Sequence, residues 1–299
     1  MYIIRHRALF FWITGLLLAG AIGAILVWGL PLGIDFTGGS LMEVSYSGTV
    51  PPLSEIQNEI SVVPLGVVSV RAYGDNGVSI RARTMTPGEH DAVLAAISKN
   101  ASTTELSYTS VGPALGSQFT NKALWAIFAV MLVIVLYIGF AFRKVSRPVP
   151  GWGYGLTVVA MLIIDILVPT GFYAAYCHFT GAEVDSLFVV ALLALLGYCV
   201  NDVIVIFDRV REHLAKNEKT GLKESFEDTI GKSINETMRR SINTALTVAL
   251  ALLTLIYLGA PATQNFALVM LVGVVAGTFS SICRSAPLLI PIAKWFAKK

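Results

Sequence analysis

The chain has 299 residues, is 55% hydrophobic and only 14% charged, with a mean hydropathy of +0.70. A soluble domain carries about 25% charge, so this composition describes an integral membrane protein. A net charge of +3 without any dense lysine or arginine run excludes a phosphate-binding stripe, and with it nucleic acid as a partner.

In chain order, Arg5-His6-Arg7 precedes an apolar run from Ala8 to Leu30. That run is too long for the h-region of a signal peptide, usually about 7 to 15 residues, and predicts a retained first transmembrane helix. About 20 apolar residues cross the hydrocarbon core, and six segments meet or approach that length: 8–30, 123–142, 152–176, 186–207, 241–259 and 264–293. Basic residues accumulate on the cytoplasmic side. The N-terminus has two, the 143–150 loop three (Arg143, Lys144, Arg147), the 208–240 loop eight, and the C-terminal end Lys294, Lys298 and Lys299. The short connections 177–185 and 260–263 have none. A multi-pass protein of the cytoplasmic membrane with both termini cytoplasmic is expected. Its domains are then 1–30 (N-terminus and first span), 31–122 (an extracytoplasmic domain) and 123–299 (five further spans with the cytoplasmic loop 208–240).

Within 31–122, "SLMEVSYS", "VVSVRAY", "GVSIRART" and "TELSYTS" alternate or are rich in β-branched residues, as strands do. "LSEIQNEI" and "TPGEHDAVLAAISKN" have helical periodicity, with a cap at Ser54 or Thr86, and "YGDNG" forms a tight turn. The order strand, helix, strand, strand, helix, strand is that of the split ferredoxin-like unit. The expected fold class is therefore an all-α six-helix membrane bundle with a small α+β ferredoxin-like extracytoplasmic domain. No His, Cys and carboxylate cluster marks that domain as an enzyme. Cys177, Cys199 and Cys283 lie in or beside apolar spans without CxxC spacing and read as small core residues, leaving no disulfide, metal site or cofactor to expect.

Ionisable side chains inside spans cost roughly 2.5 to 3.5 kcal/mol each on insertion scales, which makes each a functional candidate. Three stand out: Asp165, Asp202 (beside Asn201) and Arg284. Rise per residue puts Asp165 about 20 Å and Asp202 about 8 Å from the cytoplasmic ends of their spans, which argues against a tight dyad. Arg239 and Arg240, just before the fifth span, fall near the depth of Asp202. A nearby arginine favours the charged carboxyl and burial the neutral one, the requirement for a proton relay. An aspartate there also serves by hydrogen-bonding a neighbouring helix or reaching the interface, and both readings stay open. "GVVAGTFSS" (273–281) and Gly15, Gly20 and Gly23 allow close helix approach. Asp208 with Arg211 and Lys223 with Glu227 have the spacing of a solvated helix pair.

Four motifs then point to a family: "GIDFTGGS" (33–40), "VGPALGSQF" (111–119), "GYCVNDVIVIFDRVRE" (197–212) and "SINETMRRSINTALT" (233–247). Together they resemble the signature set of SecF-type subunits of the Sec protein-export machinery, over nearly the whole chain. The motif positions are Gly33, Asp35, Phe36, Gly38, Gly39, Gly112, Pro113, Gly197, Asp208 and Arg209. The resemblance implies half of a resistance-nodulation-division (RND) type transporter. It also implies a SecD-like partner, a SecY-type channel, unfolded preprotein at the outer face, and use of the proton-motive force. Asp202 matches the family's intramembrane aspartate, Arg240 rather than Arg239 its fifth-span arginine, and Asp165 a position commonly acidic. Arg284, in "SSICRSAPL", departs from the pattern. The alternatives are an exporter half of the same superfamily, a passive scaffold, and an intramembrane aspartyl protease using Asp165 and Asp202; the last is disfavoured by the depth offset and by "CVND" where a GxGD sequence would stand. No enzyme activity is expected.

Overall fold

The computed structural model describes residues 2–74, 76–99, 102–143, 148–222 and 224–297. Asp75 of the expected turn, Lys144, Arg147, Lys298 and Lys299 of the charge count, and Lys223, expected to pair with Glu227, lie outside the described residues.

The elements in chain order are α1 (Tyr2–Arg5), α2 (Arg7–Trp28), α3 (Ile34–Thr37), β1 (Gly39–Tyr46), α4 (Leu53–Ile60), β2 (Ser69–Tyr73), β3 (Gly77–Ala82), α5 (Pro87–Ile97), β4 (Thr103–Val111) and α6 (Pro113–Ala141). They continue with α7 (Gly151–Thr180), α8 (Ser186–Thr220), α9 (Phe226–Leu258), α10 (Pro261–Ser280), a π-helical segment (Ser281–Ser285) and α11 (Ala286–Ala297). The chain divides into a helical unit (1–30, 125–179, 187–299) and a sheet unit (31–124, 180–186).

Among the described residues, six helices are long and apolar enough to cross a membrane: α2, α6, α7, α8, α9 and the run 263–296 through α10, the π segment and α11. Glycine at positive φ ends α2 (Gly29) and α8 (Gly221), where only a residue without a Cβ turns the chain cheaply. The 263–296 run and α7 are the most enclosed, with 61% and 50% of their apolar windows buried, whereas α2, α6 and α9 show 11%. The centre of the unit therefore belongs to α7, α8 and the last helix. Glycine sets the close approaches there: a Cβ on Gly273 would stand 2.3 Å from Leu195 and one on Gly277 2.4 Å from the Cys199 sulfur. The expectation for Gly15, Gly20 and Gly23 fails, since nothing lies within 4 Å of a Cβ at any of them. Ala21 is the close contact of α2 instead: a Cβ on Gly171 of α7 would stand 2.4 Å from the Ala21 Cα.

The sheet unit holds a four-stranded antiparallel sheet in the order β2-β3-β1-β4, with register Val44↔Val78, Val70↔Ile80 and Met42↔Tyr108. Alternation puts Met42, Val44 and Tyr46 of β1 and Val78 and Ile80 of β3 on one face, which buries them against Ile56 and Ile60 of α4 and Val93 and Ile97 of α5. Thr86 caps α5 in a full capping box with Glu89. Ser54 caps nothing: α4 starts two residues earlier than such a cap implies, at Leu53 with Pro52 as its N-cap, because the fixed φ of proline presets the entry into a helix.

Hydrogen bonds from Arg83 and then from the Thr86 amide hold the Glu89 carboxyl well below its ordinary 4.5, at about 2. The folded value is the depressed one, so the contribution is present above about 4.5 and lost as pH falls through about 2. Acidification across that window is expected to fray the first turn of α5, seen as faster amide exchange at Glu89 and His90. Glu89→Gln should exchange fast on both sides of it.

Candidate functional site

Two glycine motifs that are distant in sequence meet in the sheet unit. Gly38 and Gly39 have φ of +75° and +125°, and a Cβ on Gly38 would stand 2.7 Å from Pro113 Cα. A Cβ on Gly116 would stand 2.7 Å from the Gly38 amide nitrogen and 2.9 Å from the Phe36 carbonyl oxygen, and the Phe36 ring meets Phe119 edge-on at 5.6 Å. "GIDFTGG" and "VGPALGSQF" are thus the two halves of one joint. A side chain at Gly38 combines left-handed strain of about 1 to 2 kcal/mol with a backbone clash. We expect Gly38→Ala to destabilise the sheet unit by at least about 2 kcal/mol. Gly112→Ala, where nothing stands within 4 Å, should cost about 0.5 kcal/mol or less; amide exchange in β1 and β4 measures both.

The motif acid Asp35 has its partner at the start of α8. Its Oδ2 accepts the Ser186 amide at 2.8 Å, and Ser186 opens α8. A carboxylate at a helix N-terminus satisfies an orphan donor and complements the helix dipole. Gly33 accommodates the same junction, since a Cβ there would stand 2.8 Å from the Val184 carbonyl.

In the helical unit the membrane-depth charges are buried. Asp165 and Arg284 form an ion pair, Nη2 to Oδ1, at 3.3 Å, with both side chains at most 5% exposed. The π segment makes this possible. Its wider turn inserts a residue into the ladder, and Ser280, Ser281, Arg284 and Ser285 are all buried around it. Arg284, which had no evident partner in the sequence, is the counter-ion of Asp165.

Asp202 stands differently. Ser241 of α9 donates its hydroxyl to Asp202 Oδ1, and Ser281 faces the same carboxylate. Among the described residues no cation lies within 4.0 Å of it, so the expected Asp202–Arg240 pair is not formed. The reason is helical: successive residues turn by about 100°, and with Ser241 buried toward Asp202, Arg240 is exposed beside it. Arg239 and Asn201 are exposed as well. The two acids form no direct dyad. They share Cys199 instead, which faces Asp165 and precedes Asp202 by three residues on the same helix face. Asp165 Oδ2, Asp202 Oδ2, Ser281 Oγ and Arg284 Nε are all buried without a hydrogen-bond partner. Such a partly satisfied polar network is costly in an apolar interior.

Thr229, Ser233, Thr237 and Ser241 recur every four residues as a polar stripe on the buried face of α9. Of the motif residues beyond it, Asp208 pairs with Arg211 at 2.5 Å and Arg209 bridges Glu212 and Glu236. Gly197 is exposed with open space around it, so packing does not require glycine there. Sequence reasoning missed Ser241, Ser280 and Ser281 as members of the site and read Cys199 as an apolar filler. The signals present were the "SSICRS" run and the i, i+3 spacing of Cys199 and Asp202.

Six membrane-length helices enclosing one ion-paired and one unpaired carboxylate define a polytopic membrane protein with ionisable groups in its helix core. The sequence matches the family described as "Protein export membrane protein SecD/SecF, C-terminal" over residues 92–295 and the "SecD/SecF GG Motif" over 23–50. It is 35% identical to the protein translocase subunit SecF of Thermobaculum terrenum and 34% identical to that of Anaerolinea thermophila, each alignment covering 96% of this chain and 92% of the relative. The crystal structure of SecDF, a translocon-associated membrane protein from Thermus thermophilus, superposes with a TM-score of 0.84 at 25% identity, covering 98% of this chain and 39% of that one. The chain belongs to the SecD/SecF family of protein export membrane proteins, on its SecF side.

Proposed function

We propose that this chain is the SecF-type half of a proton-driven accessory complex of the Sec export machinery. It sits in the cytoplasmic membrane with both termini inside, joins a SecD-like half, and helps a SecY-type channel release unfolded preprotein at the outer face. It moves polypeptide without catalysing a covalent reaction. The sheet unit, which we read as a split ferredoxin-like module, lies on the outer side. The span of 39% of the SecDF chain supports a partner that supplies the remainder.

The observation that carries the proton reading is Asp202: a buried carboxyl with one oxygen bonded to Ser241, Ser281 facing it and, among the described residues, no cation within 4.0 Å. Gain or loss of a proton there changes what the group can bond, so its charge state selects between packings of α8 against α9 and the last helix. Arg240 supplies the opposite charge when α9 turns toward α8, and Asp165 with Arg284 holds the other end of the same polar core through Cys199. Asn201 flanks this element.

Reconstituted with its SecD-like partner and the channel, the chain should export faster when a proton gradient is imposed. A passive scaffold gains support from the Ser241–Asp202 bond, which also works as an ordinary helix tie. That reading is distinguished by unaltered gradient dependence in Asp202→Asn.

A further inference from the structure

The connection between α7 and α8 is short, yet side chains and backbone of the sheet unit tie it at several points. Glu183 accepts Arg81 Nη1 at 2.6 Å and Arg71 Nη1 at 3.3 Å, so one carboxylate grips two neighbouring strands, β3 and β2. Arg71 Nη1 also donates to the Gly181 carbonyl at 2.6 Å, and Arg81 Nη2 to Thr37 Oγ1 at 2.8 Å and the Leu32 carbonyl at 3.2 Å. The backbone adds a parallel bridge between Leu32 and Val184: the Val184 amide donates to the Pro31 carbonyl and the Gly33 amide to the Val184 carbonyl, each at 2.8 Å. The Asp35 carboxylate then holds the first amide of α8. Charge-assisted hydrogen bonds are roughly twice as strong as neutral ones, and here two arginines, each giving one bond to Glu183 and the rest to backbone or hydroxyl oxygens, converge with the 31–37 segment on one five-residue link.

We propose that this link is a strap that couples α8 to the sheet unit, with Glu183, Arg71, Arg81 and Asp35 as positioning residues for the helix that carries Asp202. The proposal rests on the proton reading above. Asp202 lies sixteen residues along the same helix from Ser186, and a continuous helix transmits rotation and axial shift over that length. A change in packing at Asp202 that shifts the start of α8 therefore pulls on Glu183 and Asp35, and through the two arginines on β2 and β3. Without the ion pairs the link is still a loop, but it slackens and the strands no longer follow the helix.

The test uses the full chain with its SecD-like partner in lipid vesicles and reads amide exchange in β2 and β3. Asp202→Asn serves as a fixed neutral state of the carboxyl. It is expected to shift exchange in those strands relative to the unaltered chain. Glu183→Ala should erase that shift and lower gradient-dependent export at least tenfold, leaving gradient-free export unchanged. Glu183→Gln, which keeps the shape and one oxygen able to accept from the arginines, should restore part of both, and exchange in β1 and β4 should stay unchanged in Glu183→Ala, which loss of fold would not imitate. An Asp202→Asn shift that persists in Glu183→Ala, or no shift at all in the otherwise unaltered chain, overturns the strap. Failure of the proton reading itself is registered separately, as gradient-dependent export that survives Asp202→Asn.

Discussion

Asp202→Asn is expected to yield a chain that assembles normally and exports only at the gradient-free rate. Asparagine keeps the shape and an oxygen able to accept from Ser241, so the tie between α8 and α9 survives; what disappears is the ability to carry a proton. A membrane potential contributes about 2.3 kcal/mol per charge per 100 mV, roughly 40-fold in an equilibrium constant. One proton per cycle is therefore enough to bias a two-state helix packing, and its loss should remove the whole gradient-dependent increment. Yield of the complex with the SecD-like partner, followed alongside, separates this from a failure to assemble. Asp202→Ala should lower both, because it also removes the bond.

Arg284→Leu is expected to cost about 3 to 5 kcal/mol of stability, the range for stripping the partner from a buried charge. Asp165 and Arg284 are nearly inaccessible, so neither water nor a second protein cation replaces the lost guanidinium. Removing both charges, as in Asp165→Asn with Arg284→Leu, should recover most of the loss, since neutral groups of similar size cost far less to bury than one orphan charge. Thermal unfolding of the purified chain in detergent, run as a double-mutant cycle, measures the coupling. Additive effects of the two substitutions would show that the pair is not an energetic unit.

What the sequence reveals about the site follows from what composition can mark. A charge inside an apolar run is visible, and Asp165, Asp202 and Arg284 are all found that way. Their partners are not, because partners depend on which helix faces meet. Ser241 is one of many serines until its face is known, and its neighbour Arg240 attracts the pairing by charge while pointing 100° away. The Asp165–Arg284 pair depends on a π turn that re-registers the last helix, and nothing in period-3.6 reasoning announces a π turn. Strands of the sheet unit are legible because alternation is a local signal; Gly38 and Gly39 are recognisable as glycines with a role, yet only packing shows that Gly38 accommodates Pro113 and Gly39 the Ala82 carbonyl. Nothing local marks Glu183 in its short connection, since both of its arginines lie more than 100 positions away in sequence.

The central claim is that Asp202 takes up and releases the coupling proton. Infrared difference spectroscopy of the reconstituted complex across an acid step reads this directly, as the carbonyl stretch of a protonated carboxyl that appears with acidification and is missing in Asp202→Asn. The account predicts one such band, sensitive to the imposed gradient. Identical difference spectra from the unaltered chain and Asp202→Asn would contradict it.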